Sequence, residues 1–181
     1  MSDNPPRSSA HSVQHVMQGE FAVSADPDTV LSTLLGSCVA ACLYDPSAKL
    51  GGMNHFLLPE TGSDDTRARL YGAHLMELLV NELLHLGARK ERLVAKLFGG
   101  AKVVSGLSRI GDANVAFAQR FFMDEEIPLI AENVGGRRGL HLRFHPATGV
   151  ARTRPIAKIE SLPPIRAAEP KEPRNGQVEL F

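Results

Sequence analysis

The sequence predicts an α+β fold, a single domain framed by a mixed or antiparallel sheet with two helices set into it. Three observations carry that prediction. Short β-rich runs recur along the chain, Asp-Pro, Gly-Gly and Pro-Ala-Thr-Gly turn signals separate them, and only two segments repeat apolar residues at helical spacing. A length of 181 residues gives one domain room for a sizeable core.

Strands are expected over His15–Val23, Val30–Leu35, Val39–Tyr44, Leu50–Leu58, Leu93–Phe98, Ile127–Val134, Gly139–His145 and Gly149–Arg154. The first helix is expected from about Asp65 to Leu86. Leu70, Ala73, Met76, Leu79, Val80 and Leu83 form its apolar stripe, His74, Glu77, Asn81 and His85 its polar one, and Gly87 stops it. A second helix is expected from about Asn114 to Glu125, behind a cap at Asp112. Residues 1–14 and 161–181 are polar and proline-containing and read as flexible tails around a domain spanning 15–160, although the final Val178-Glu179-Leu180-Phe181 is apolar enough to dock on a partner.

Composition narrows the function. Twenty basic residues balance twenty acidic ones, so no global field draws the chain to nucleic acid. No apolar run approaches the roughly 20 residues of a membrane span, and the N-terminus lacks the apolar stretch of a signal peptide. Two cysteines are too few for a disulfide framework, and Cys38 and Cys42 on one strand lie too far apart to pair. Free thiols and a reducing cytoplasm are therefore expected.

One hairpin brings chemistry together. Asp45 to Ala48 reads as a type I turn, because Asp favours its first position and Pro presets the backbone of its second. The flanking runs then pair so that Tyr44 faces Lys49, Ala41 faces Gly52 and Cys38 faces His55. Opposed Cβ atoms about 5 Å apart let a thiol and an imidazole meet as nucleophile and base. The N–H groups around Gly36-Ser37-Cys38, at a glycine bend, offer an oxyanion hole, and Ser32 or Thr33 is the nearest hydroxyl to orient the imidazole. A strand cysteine also suits a core, and Cys42 between apolar neighbours is read that way.

Other motifs carry less. His141 and His145 lie four apart on a predicted strand with no Cys-x-x-Cys pair, and His74 and His85 sit on a solvated stripe, so no metal centre is expected. Gly99-Gly100-Ala101-Lys102 lacks the rest of a phosphate-loop pattern and reads as a tight strand exit.

Thr33-Leu34-Leu35-Gly36-Ser37-Cys38-Val39-Ala40-Ala41-Cys42-Leu43-Tyr44-Asp45-Pro46, followed by Gly51-Gly52-Met53-Asn54-His55-Phe56-Leu57-Leu58-Pro59, closely resembles the chemoreceptor glutamine deamidase family, CheD. Lys96–Ala101, Ile127–Gly136 and Phe144–Gly149 continue the resemblance in family order, over about Gln14 to Ile156. It implies two packed β-sheets, a β-sandwich core, flanked by two or three helices. It also implies a cytoplasmic cysteine hydrolase at receptor arrays that converts glutamines of methyl-accepting chemotaxis receptors to glutamates and releases ammonia, without metal or organic cofactor. The family's nucleophile maps to Cys38, its histidine to His55, and its third residue, a threonine six places before the cysteine, to Ser32, with Thr33 one place nearer. A phosphatase of the CheC type is implied as a further partner. A binding module that regulates receptors or such a phosphatase by occupancy alone fits the same residues.

Overall fold

The computed structural model describes residues 12–58, 66–102 and 108–156. In chain order the elements are β1 (Ser12–His15), β2 (Phe21–Ser24), β3 (Thr29–Leu35), β4 (Val39–Asp45), β5 (Leu50–Phe56), α1 (Thr66–His85), a 3-10 turn at Lys90–Arg92, β6 (Val94–Gly99), α2 (Ser108–Asp124), β7 (Leu129–Val134), β8 (Leu140–His145) and β9 (Val150–Pro155). They build two sheets, one of four strands ordered β1-β3-β8-β9 and one of five ordered β2-β5-β4-β6-β7. Both sheets mix parallel and antiparallel pairs. The α+β expectation holds, and the two-sheet core implied by the resemblance is present.

Strand alternation sorts the apolar residues into two cores. On one face of the five-stranded sheet Val39, Ala41, Leu43 and Phe56 pack with Met76, Leu79 and Leu83 of α1 and Phe122 of α2. On the other face Ala40, Cys42, Met53 and Phe98 pack with Leu31, Leu35, Leu142 and Phe144 of the four-stranded sheet. The layers are therefore helices, five-stranded sheet, four-stranded sheet. Central β4 is covered on both sides, which is why it reads as a nearly continuous apolar run.

Four expectations are corrected. The run expected as one strand from His15 to Val23 is two strands in different sheets, joined by Val16–Glu20, and β1 starts at Ser12, inside the segment read as a tail. The rest of that tail reading, with its apolar C-terminus, lies outside the described residues.

The β4–β5 hairpin pairs Ala40 with His55 and Asp45 with Leu50, so Cys38 does not face His55 directly. The reason is the loop: Pro46–Lys49 lies wholly between the paired strands, with Lys49 left-handed at φ 50°, and the Asp45 carboxylate accepts from the N–H groups of Ser47 and Ala48. A left-handed residue after an ordinary turn restores the twist that a two-residue type I loop would spoil. The displacement is even in residue number, so His55 keeps the expected face.

Helix α2 starts at Ser108, and Asp112 is not its cap but an exposed helical residue ion-paired with Lys102 at 2.8 Å. Gly111 in its opening turns disguised it. That glycine lies against the backbone of Gly100, where a Cβ would strike the Gly100 carbonyl. In α1, Leu70 is 64% exposed, and Leu75 takes a core place that the expected stripe omitted.

Asp45 anchors the far end of the hairpin. Its side chain is fully enclosed, and its Oδ2 accepts from Arg89 N–H at 2.9 Å and from the Arg92 guanidinium at 2.8 Å. Burial alone would raise its pKa, but the hydrogen bonds from Arg89, Ala48, Arg92 and Ser47 outweigh it and hold the carboxyl at about 2. Asp45→Asn should cost about 2 to 3 kcal/mol in urea unfolding. Because the folded pKa is depressed, the contribution is complete above the ordinary 3.8 and is lost as pH falls through about 2, so the wild-type advantage over the variant should vanish across that window.

Candidate active site

Adjacent residues of β3 point to opposite faces, and this decides which hydroxyl meets His55. Thr33 pairs with Leu142 and turns into the core between the sheets, where its Oγ1 lies 2.9 Å from His55 Nδ1. Ser32 turns to the outer face and lies 2.9 Å from His141 Nε2. The geometry thus joins Thr33, the alternative, to His55, and gives Ser32 a different histidine.

The Val16 carbonyl fixes the His55 tautomer. Thr33 Oγ1 donates to Val16 O at 2.8 Å, which spends the only hydroxyl proton. Nδ1, also 3.3 Å from the same carbonyl, must therefore carry the proton it shares with Thr33 and Val16. Nε2 keeps its lone pair, is enclosed, and has no hydrogen-bond partner among the described residues. The histidine itself is only 6% exposed, and its backbone is tied on both sides, with His55 N–H donating to Glu20 O and Gly19 N–H to His55 O. The imidazole is thus held in one tautomer with its second nitrogen free to accept.

Cys38 lies in the bend before β4, half-buried. Its parity puts it on the face of His55, since Ala40 faces that histidine. The bend is fastened by its carbonyls. Gly36 O accepts from Ala101 N at 2.8 Å, Ser37 O from Asn114 Nδ2 at 2.9 Å, and Cys38 O from Gly100 N at 2.9 Å. Hydrogen bonding from the N–H groups of Gly36 and Cys38 favours the thiolate form of the side chain. Gly99, at φ 106°, lies so close behind the bend that a Cβ would strike the Cys38 carbonyl. The strand exit Gly99–Lys102 therefore scaffolds the cysteine bend: the amides of Gly100, Ala101 and Lys102 are committed to Cys38, Gly36 and Gly136 carbonyls.

Burial pushes the Cys38 pKa up, partly offset by those two N–H groups, and pulls the His55 pKa down, partly offset by Val16. Both shifts favour the neutral forms, thiol and imidazole. Cys42 is buried at 1% exposure in the core between the sheets, with its pKa raised by desolvation, as a packing residue would be.

Elsewhere, Arg154 donates to His141 Nδ1 at 3.3 Å, so His141 Nε2 carries the proton and donates to Ser32. No group of three or more potential metal ligands occurs among the described residues. No helix among them is long and apolar enough to cross a membrane.

Two comparisons bear on this arrangement. The sequence profile described as CheD chemotactic sensory transduction matches residues 57–155. The chain is also 49% identical over 174 residues to the probable chemoreceptor glutamine deamidase CheD of Rhizobium etli, covering 92% of this chain and 95% of that protein. The chain belongs to the CheD family. Equally named CheD proteins of Rhizobium meliloti, at 50% identity over 92% of this chain and 94% of theirs, and Caulobacter vibrioides, at 48% over 92% of each, agree. Among solved structures, the hypothetical protein YfiH of Bacillus licheniformis aligns with a TM-score of 0.45 and 12% identity over 70% of this chain and 60% of that one, a likeness too loose to argue from.

The Val16 carbonyl, Asn114 and the Gly100–Ala101 amides were missed by sequence reasoning on this CheD chain. Only the glycine pair after a strand gave any signal of a close approach. A neutral thiol has a direct consequence for reactivity. Alkylation of Cys38 by iodoacetamide, followed by intact mass from pH 6 to 10.5, should titrate above the ordinary thiol value of about 8.5. An apparent value below 7 would show a thiolate–imidazolium pair instead.

Proposed function

We propose that the protein is a cysteine-dependent deamidase of chemoreceptor glutamines, the activity carried by the names of its CheD relatives. The observation that carries the chemistry is the enclosed, unpartnered Nε2 of His55, held in the accepting tautomer on the face of Cys38. In this reading Nε2 takes the thiol proton as Cys38 Sγ attacks the glutamine carboxamide. The Sγ–C bond forms, and the N–H groups at the bend meet the oxyanion. Protonated His55 then gives its proton to the departing ammonia. Neutral His55 activates water, which cleaves the thioester to glutamate and restores the thiol.

Thr33 is the orienting hydroxyl in this scheme, and Ser32 is not, because the two face opposite ways. No metal or organic cofactor takes part in any step. Methyl-accepting receptors are the substrate, which places the enzyme in the cytoplasm at receptor arrays. A CheC-type phosphatase remains the further partner that the family resemblance implies.

Intact-mass analysis of a receptor cytoplasmic domain tests the proposal. Wild-type protein should add about one dalton per modified site, the difference between amide and acid, and Cys38→Ala should add none. No shift with either protein while both bind the receptor would favour regulation by occupancy. Thr33→Val should slow deamidation at least about tenfold, and Ser32→Ala should stay within about twofold of wild type. Since burial lowers the His55 pKa and the base must be neutral, the acid limb of the rate profile should fall below pH 6.5.

A further inference from the structure

We infer that Asn114 is the positioning residue of the oxyanion hole, holding the Ser37–Cys38 peptide so that its N–H faces the reacting sulfur. This rests on the deamidase reading of Cys38. Asn114 sits in α2, fully enclosed, and each end of its amide reaches a different part of the site. Its Oδ1 accepts from Leu58 N–H at 2.8 Å, just past the end of the strand that carries His55. Its Nδ2 donates to Ser37 O at 2.9 Å, in the bend that carries Cys38. One side chain therefore ties together the two segments that bear the nucleophile and the base.

The consequence follows from peptide planarity. In a trans peptide the carbonyl and the N–H of the next residue point in opposite directions, and the structure contains no cis peptide among its described residues. With Ser37 O drawn toward α2, the Cys38 N–H is turned the other way, away from the helix, and its hydrogen bonding lowers the thiol pKa against the effect of burial. The neighbouring peptides are fixed in the same manner by Ala101 N on Gly36 O and Gly100 N on Cys38 O, but those clamps are backbone groups. The clamp on the central peptide is the one supplied by a side chain. When an oxyanion forms on carbon bonded to Sγ, this N–H is already aimed at it and needs no reorganisation.

The expected signature separates chemistry that makes an oxyanion from chemistry that does not. Acylation of Cys38 by p-nitrophenyl acetate forms the Sγ–C bond through a tetrahedral oxyanion, passes the thiol proton to His55 and expels p-nitrophenolate. Alkylation by iodoacetamide displaces iodide with no oxyanion at all.

The full chain would be compared as wild type, Asn114→Ala, Asn114→Asp and a Cys38→Ala blank at pH 8, reading the p-nitrophenolate burst, the alkylation rate and the melting temperature. Asn114→Ala should acylate about tenfold to hundredfold more slowly, while its alkylation stays within about threefold. Asn114→Asp keeps the acceptor for Leu58 N–H but loses the donor to Ser37, so it should regain melting temperature without regaining acylation.

Equal loss of acylation and alkylation in Asn114→Ala would reduce the residue to a structural role and overturn the inference. Full acylation by either variant would overturn it too, with the deamidase reading left standing. A wild-type protein that shows no burst above the Cys38→Ala blank would remove the deamidase reading and the inference together.

Discussion

The hydrogen bond between Thr33 Oγ1 and His55 Nδ1 is the constraint on which the site depends, because it crosses from one sheet to the other. Thr33 belongs to the four-stranded sheet and His55 to the five-stranded one. Their contact fixes where the sheets meet at this end of the sandwich. The Val16 carbonyl completes the contact, and Val16 belongs to the short segment by which the chain itself passes between sheets. A polar pair buried at such a seam costs free energy unless every member is satisfied. Here all are satisfied except Nε2. The remaining unsatisfied atom is the one a base needs to keep open.

The cysteine is set by a different device. Its bend is clamped from behind by backbone amides after β6 and by a side chain of α2, all acting on carbonyls. Clamping carbonyls aims N–H groups without touching them, so the donors stay available on the reactive side. Burial raises the Cys38 pKa and lowers that of His55, so both side chains favour their neutral forms.

Much of this was legible in the sequence. Turn chemistry and apolar alternation located β3 to β9 and both helices, and the hairpin put His55 on its observed face while misplacing its partner, which is Ala40 rather than Cys38. What failed did so for local reasons. A left-handed Lys49 gives no compositional warning, so the register was misjudged, though parity rescued the face. Gly111 hid the start of α2 because its backbone contact with Gly100 outweighs poor helix propensity. The family resemblance mapped its third residue to Ser32 with Thr33 as alternative, and it is Thr33 whose hydroxyl meets His55; which face of β3 is inward becomes visible only once Leu31 and Leu35 are seen packed with Phe144. Val16 and Asn114 act through one carbonyl and one amide that pattern cannot single out.

The site's bonds also bear on how the chain matures. Val16 to Thr33, Thr33 to His55, Ser37 to Asn114 and Leu58 to Asn114 join residues 17, 22, 77 and 56 positions apart, and none lies within a single element. Contacts of such sequence separation carry the entropic cost of closing the loops between them. During synthesis Cys38 is made well before Asn114 exists to hold its bend. The bend that carries Cys38 is thus completed by a residue from much later in the chain.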